Sequence, residues 1–367
     1  MKQTLSGGGF HSLFISNDLT VYGCGSNLSG QIGELNEGND NLLPYLIDVP
    51  AKICSVSAGY KHSLLLDTEG SVWGIGCSLY GQLGFWGTTS TPTKIENLPT
   101  IQAIQCSPTG YSLFLDTQGN VWGCGKNSVG ELGIEKHNYE RMPIKFANMP
   151  KITSMVAANF QALFTDEAGK VWGCGSNAFG QLGGIPVNAA GYHKPVLLEG
   201  FPLPITSVAA GKAHSLYLDI DGHVWSSGNS AGGQLGINIS RGHCAQQPQK
   251  LESLPKIVEI SAGGSRTALL DETGQVWTSG RVDGFVSNTP IRAPALSQIQ
   301  TMSCTAECHS LYLEDDGSVL VAGVNKNGQL GMGDIVPRLT HAKNPNLPAI
   351  NNPRLNFYSS KSARNVI

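Results

Sequence analysis

A short turn-and-strand element returns along this chain about every fifty residues, and that recurrence limits the fold more than any other feature. It reads Asp67-Thr68-Glu69-Gly70-Ser71-Val72-Trp73-Gly74. It comes back at Asp116 to Gly123, Asp166 to Gly173, Asp221 to Trp225, Asp271 to Trp277 and Asp316 to Leu320, with a weaker copy from Asp18 to Gly23. The glycines that close the strand stand at 25, 76, 125, 175, 228, 280 and 323, so successive spacings are 51, 49, 50, 53, 52 and 43 residues. A unit of this length cannot bury its own apolar face, and stability requires that neighbouring units stack.

Each period carries two further marks. Before the turn lies Gly-x-x-His-Ser: Gly8 to Ser12, Gly59 to Ser63 and Gly211 to Ser215, with degenerate copies centred on Tyr111, Gln161, Arg266 and His309. After the strand comes Asn-x-x-Gly-Gln-Leu-Gly or a close variant. It spans Asn27 to Gly33, Ser78 to Gly84, Asn127 to Gly133, Asn177 to Gly183, Ser230 to Gly236 and Asn327 to Gly331, and the sixth unit lacks it.

One unit reads as four strands. Ile53 to Ala58 alternates, His62 to Leu66 and Val72 to Gly76 flank the Asp-Gly turn, and Thr93 to Ile95 forms a short fourth strand. Asn97-Leu98-Pro99 closes it. Seven such units predict an all-β chain folded as a seven-bladed β-propeller over residues 1–348. Residues 349–367 form a tail in which Ile350, Leu355, Phe357 and Tyr358 are expected to pack as a ring-closing segment. Strand direction places the Gly-x-x-His and Gly-Gln-Leu-Gly loops on one face, and the Asp-Gly turns and proline linkers on the other.

Composition narrows the function classes. Charged residues make up 14% of the chain, net charge is −3, and no basic stripe appears, so nucleic-acid binding through phosphates is not expected. No run approaches eighteen apolar residues, so no membrane span is expected, and no signal peptide is apparent at the N-terminus. The nine cysteines, an odd number, suit a reducing compartment, cytoplasmic or nuclear. Cys24, Cys124 and Cys174 share one strand register and read as small core residues. Cys304, Cys308 and His309 lack a second pair at ligand spacing, so no metal is expected.

The remaining polar residues are absorbed by the repeat. His11, His62, His214 and His309 hold one register, which predicts a structural hydrogen bond. Trp73, Trp122, Trp172, Trp225 and Trp277 share another, which predicts core packing. No phosphate loop and no catalytic constellation appear, so neither a cofactor nor enzymatic bond chemistry is expected.

These marks, in fixed order over residues 1 to 348, resemble the regulator of chromosome condensation repeat family. The resemblance implies a seven-bladed propeller that works by binding proteins. Its members include an exchange factor for the small GTPase Ran, ubiquitin-ligase modules, trafficking scaffolds and bacterial effectors delivered into host cells. The low charge and the Asn- and Gln-rich loops suit an effector member. The best single partner is therefore a small GTPase of Ran or Rab type, or its regulator. The alternatives are true nucleotide exchange on Ran and a generic scaffold or ubiquitin-pathway adaptor. In the exchange factor, resemblance implies an acidic residue or His just before the repeat His on the partner-facing side. Here those positions hold Phe10, Lys61, Gly110, Phe160, Ala213, Ser265 and Cys308, which speaks against efficient exchange.

Partner contacts are expected where the pattern breaks, on loops of the rigid ring. Phe85 and Trp86 put two large aromatics in a variable stretch, and Trp86 is the one Trp off register. Tyr139 and Arg141, Tyr192 and His193, and Arg241 and His243 occupy the corresponding later stretches. Glu34, Glu37 and Asp40 make the first stretch acidic. Together with Lys61 and Phe160 they are the candidate partner-binding residues, expected to share one face beside a notch at the shortened sixth unit, Arg281 to Pro290.

Overall fold

The computed structural model describes residues 3–351, apart from 35–38, 136–137, 240–241, 283–284, 294, 297 and 306–308. Among the described residues, twenty-eight strands make seven four-stranded antiparallel sheets, each a meander in chain order. The chain is a seven-bladed β-propeller. Blade 1 runs Leu5–Gly7, His11–Ile15, Val21–Gly25 and Asn41–Ile47. Blade 2 runs Ile53–Ala58, His62–Asp67, Val72–Ser78 and Gly87–Lys94. Blade 7 ends the ring with Ile299–Cys304, His309–Glu314, Val319–Gly323 and Arg338–Lys343.

Apolar clusters sit between blades. Leu64, Leu66, Leu83 and Ile95 of blade 2 pack against Ile101, Ile104, Phe114 and Cys124 of blade 3. Each second strand is wholly buried in blades 2 to 5, while the outer strands are largely exposed. The same geometry closes the ring. Leu5, Phe14 and Cys24 pack with Leu311, Leu313, Val321, Leu330 and Ile350. Asn351 N donates to Ile15 O at 2.8 Å, and Ser16 forms a β-bridge with Ile350. Leu355, Phe357 and Tyr358 lie outside the described residues.

Two polar devices repeat with the blades. In the turns, Asp67, Asp116, Asp166, Asp219 and Asp271 each accept two backbone N–H bonds at Oδ1, from the residues two and four ahead. Their Oδ2 atoms accept the indole N–H of Trp73, Trp122, Trp172, Trp225 and Trp277 at 2.9–3.1 Å. The five tryptophans are thus half-buried and tied to the turn. Blade 5 uses Asp219 for this, two residues before the Asp221 that the sequence pattern suggested.

The second device is a belt around the inner ring. His11 Nε2 meets Ser63 Oγ at 2.8 Å, His62 meets Ser112 at 3.2 Å, His214 meets Thr267 Oγ1 at 3.2 Å, and His309 meets Ser12 at 3.0 Å. Tyr111 OH donates to Gln161 O (2.6 Å), Gln161 Nε2 to Ser215 Oγ (3.0 Å), and Arg266 Nη1 to Ser310 Oγ (2.5 Å). Every blade is therefore bonded to the next through the register that begins its second strand. Ser12, Ser63, Ser112, Ser215 and Thr267 donate in turn to the carbonyls of Gln329, Gln31, Gln82, Gln181 and Gln234 at 2.6–2.7 Å. A hydroxyl has one proton, so each paired imidazole must supply the proton at Nε2.

The periodic glycines at the end of the third strand have a steric cause. All seven take positive φ, from 91° to 106°. At Gly76 a Cβ would lie 2.4 Å from Lys61 O, and the other copies from Gly25 to Gly280 meet the equivalent carbonyl at 2.3–2.5 Å. The strand bulges there and presses against the loop before the repeat His, which leaves space for glycine alone.

The variable stretches differ from the expectation of free loops. Blade 2 has an outer strand of eight residues, Gly87–Lys94, in place of a short Thr93 to Ile95 strand. Tyr139 and Arg141 lie in the strand Tyr139–Lys145, and Tyr192 and His193 in Asn188–Leu198. Edge strands accept irregular sequence because one side of the backbone faces water, and this irregularity hides them from a period-two search.

Candidate protein-interaction face

The Asn-x-x-Gly-Gln-Leu-Gly loops fold upon their own backbone. Asn27 Oδ1 accepts Ile32 N at 3.0 Å, and Asn127, Asn177 and Asn325 repeat this bond at 2.9 Å. In blade 7 the working residue is Asn325, two before the Asn327 at which the motif seemed to start. Gln31, Gln82, Gln181 and Gln329 accept the backbone N–H two residues earlier at 2.9–3.0 Å. The loop Leu or Ile that follows is fully buried at 32, 83, 132, 182, 235 and 330. With both ends pinned, the two residues between Asn and Gly are pushed outward.

In blades 1, 2 and 4 those middle positions carry large apolar side chains. Leu28 is 62% exposed, Leu79 55%, Tyr80 45% and Phe179 44%. Sequence reasoning missed them because they sit inside the motif rather than where it breaks. Their signal was present in the motif's two unconstrained letters. Further aromatics lie beside them. Phe10 and Tyr60 of the Gly-x-x-His loops meet edge to face at 5.2 Å. Lys126 Nζ stands 6.0 Å from the Tyr80 ring and 5.5 Å from the Phe160 ring, linking blades 2, 3 and 4. Phe160 and Phe179 then border a recess of about 330 Å³ between blades 4, 5 and 6, whose charged lining residues are Lys212 and Arg281.

The other predicted residues divide. Trp86 is 57% exposed, and the Arg141 guanidinium lies over its ring at 4.3 Å and over Tyr139 at 5.5 Å. These three form one exposed cluster on the rim between blades 2 and 3. Phe85 is half-buried against the blade 2–3 core, so the pair splits into one packing residue and one projecting one. Tyr192 packs on the blade 4–5 cluster, and its hydroxyl donates to Pro186 O. The His193 backbone lies where a Cβ on Gly130 would be, at 2.5 Å, so His193 is part of a blade-to-blade seam. Glu34 accepts the Thr91 hydroxyl and Asp40 accepts Asn327 Nδ2 at 2.7 Å, both across blade boundaries. His243 is exposed on the rim of blade 5, and its carbonyl accepts Ser230 N. Lys61 is exposed on the loop face. Glu37 and Arg241 lie outside the described residues.

The repeat histidines and the core cysteines are built inward. Burial drives the pKa of His11, His62 and His309 down to about 3 and that of His214 to about 4, so all four are neutral. Burial also raises the thiols of Cys24, Cys106, Cys124 and Cys174 well above the usual range. Among the described residues no three His, Cys, Asp or Glu side chains gather at metal-binding distance, and no helix is long and apolar enough to cross a membrane.

A family profile described as the RCC1-like domain matches residues 1–284. The chain belongs to the RCC1-like domain family. Relatives include the probable E3 ubiquitin-protein ligase HERC4 of Homo sapiens, 30% identical over 299 residues, which are 77% of this chain and 28% of that protein. The regulator of chromosome condensation of Xenopus laevis is 31% identical over 140 residues, 35% of this chain and 32% of that protein. The chain spans less than a third of the length of these curated relatives. Among solved structures, Prp20p of Saccharomyces cerevisiae superposes with a TM-score of 0.81 at 20% identity, covering 96% of this RCC1-like chain and 97% of Prp20p. Human WBSCR16 gives a TM-score of 0.81 at 22% identity over 89% and 93% of the two chains. These likenesses concern the fold.

Proposed function

We propose that this RCC1-like ring is a protein-binding module whose loop face captures a small GTPase of Ran or Rab type, or its regulator, and that it binds without strongly accelerating nucleotide release. The observation that carries this reading is the set of apolar tips, Leu28, Leu79, Tyr80 and Phe179, held out from pinned loops on one face. Large exposed apolar groups on a rigid scaffold suit a protein interface, and the Trp86, Tyr139 and Arg141 cluster adds the residue types that anchor such interfaces. The Prp20p structure is described together with the binding properties of that protein to Gsp1p and histones, which favours a GTPase as the first partner to try.

Exchange demands more than capture. A catalyst of nucleotide release must favour the nucleotide-free GTPase over the loaded one, since equal affinity shifts nothing. The positions before the repeat register are Phe10, Lys61, Gly110, Phe160, Ala213, Ser265 and Cys308, without a carboxylate or imidazole among them. The test follows fluorescent GDP leaving purified Ran and a Rab protein with the ring at micromolar concentration, alongside direct titration of binding. The expected outcome is a complex with release accelerated only a few-fold. A hundredfold acceleration makes exchange the primary function, and no binding to either GTPase removes the GTPase reading.

A further inference from the structure

The recess between blades 4, 5 and 6 is lined by two cations and no carboxylate, and several of its hydrogen-bond acceptors are already engaged. The rim carbonyls are used by the strand bulges: Phe160 O accepts Ser176 N at 2.7 Å, Ala213 O accepts Asn229 N at 2.9 Å, and Ser265 O accepts Arg281 N at 3.0 Å. The side-chain amide oxygens are used by the loops. Gln181 Oε1 accepts Phe179 N at 2.9 Å, Gln234 Oε1 accepts Gly232 N at 2.8 Å, and Asn229 Oδ1 accepts Ala231 N at 2.7 Å. What remains on the Asn229 and Gln234 side chains is N–H. Gln234 Nε2 reaches only a long 3.5 Å contact with Asn229 Oδ1.

Charge has the same sign. Lys212 and Arg281 line the recess and both are exposed. Neither takes part in an ion pair among the described residues. No lining residue is Asp or Glu. A cavity lined by two cations and amide hydrogens, with no carboxylate, favours an anion. Its wall is apolar where Phe160 and Phe179 stand, and Lys126 covers the outer side of Phe160.

We infer that this recess receives an acidic side chain of a partner protein, carried on a segment whose neighbouring residue is large and apolar. The carboxylate sits between Lys212 and Arg281, and the apolar neighbour lies against Phe160 and Phe179. A volume of about 330 Å³ suits one or two side chains rather than a folded domain. The apolar wall favours a peptide over a free inorganic anion, which would leave the two phenyl rings wet. This inference rests on the reading that partners dock on the loop face, and it names the chemistry of the contact.

The probe is a short fluorescein-labelled peptide of alternating glutamate and leucine, titrated by anisotropy against the full chain. Its glutamine-for-glutamate analogue is the control, and inorganic phosphate is the competitor. The glutamate peptide should bind, weaken as salt rises, and lose about tenfold or more in affinity in the Lys212→Ala, Arg281→Ala double variant. Lys212→Arg should retain binding, and Lys94→Ala with Lys145→Ala, exposed on outer strands, should leave it unchanged. Both cation side chains are exposed, and an unaltered melting temperature checks that the double variant is folded. Equal binding of the glutamine peptide, or undiminished binding by the double variant, overturns the inference. Displacement by phosphate at the same concentration as peptide reassigns the recess to a free anion. Peptide binding with no GTPase complex leaves the recess standing and removes the GTPase. A GTPase complex insensitive to the double variant does the reverse.

Discussion

Lowering the pH from 7.5 to 5.5 should destabilise this ring steeply, and the loss should trace to the four belt histidines. His11, His62, His214 and His309 are fully buried, and burial is the first cause of their depressed pKa values, about 3 for three of them and about 4 for His214. Each donates Nε2–H to a hydroxyl of the next blade. Nδ1 of His11, His62 and His214 faces no acceptor, so a second proton finds no partner there. In the unfolded chain the same residues take up a proton near pH 6.5. The unfolded state thus binds more protons at every pH between about 6.5 and the folded values. Stability is complete above that window and falls as pH descends through it. By linkage each histidine contributes about 1.4 kcal/mol of loss between pH 7.5 and 5.5, or about 5 kcal/mol for the four. For a chain of this length that is a fall of about 7 °C in Tm. The carboxylates with lowered pKa, such as Asp116, Asp219 and Asp271, begin to act only at lower pH, so the window isolates imidazoles. The assay is calorimetric or circular-dichroism melting at both pH values, with His62→Gln as the control. Blade 4 already uses Gln161 in this register, bonded to Ser215 at 3.0 Å, so the variant should fold normally and lose about a quarter of the pH effect. A flat Tm between pH 7.5 and 5.5, or an unchanged pH effect in His62→Gln, would refute the reasoning.

Three further outcomes follow from single positions. Glu131 stands where other loops carry Gln. Its carboxylate is buried, its pKa is raised first by that burial, and it is offset by Val129 N–H and the Ser128 hydroxyl. Glu131→Gln should therefore stabilise the ring by about 1 kcal/mol at neutral pH, read as a higher Tm. Gly76→Ala should cost about 3 kcal/mol or more, since its Cβ falls 2.4 Å from Lys61 O at φ 103°, and solubility with Tm measures it. Trp86→Ala should change stability by less than about 0.5 kcal/mol, because the side chain is mostly exposed, yet weaken partner capture by about 2 kcal/mol in titration.

The fold was legible because its signals are local. A turn such as Asp67 to Gly70 is closed by bonds within four residues, and its recurrence counts the blades without knowledge of what packs on what. The family resemblance rests on the same local marks. The candidate site was legible only in part. Trp86, Tyr139 and Arg141 broke the pattern and do come together, whereas Tyr192, His193, Glu34 and Asp40 broke it equally and serve the seams between blades. A broken repeat shows that a position is free of the blade's own constraint; it does not show which neighbour replaces it.

What the chain alone determined was the number of units, their four-strand order and which loops share a face, since alternation and turn chemistry act over a few residues. The tertiary structure decided who meets whom across about fifty residues. It paired His11 with Ser63 and closed the ring from His309 to Ser12. It also showed why the third-strand glycines tolerate no Cβ, because the obstructing carbonyl belongs to a loop about fifteen residues earlier in the chain. It turned middle letters of the Asn-x-x-Gly motif into exposed tips and placed Lys212 of one blade and Arg281 of the next on the lining of one recess. Those outcomes depend on the curvature of the closed ring, which no single repeat encodes.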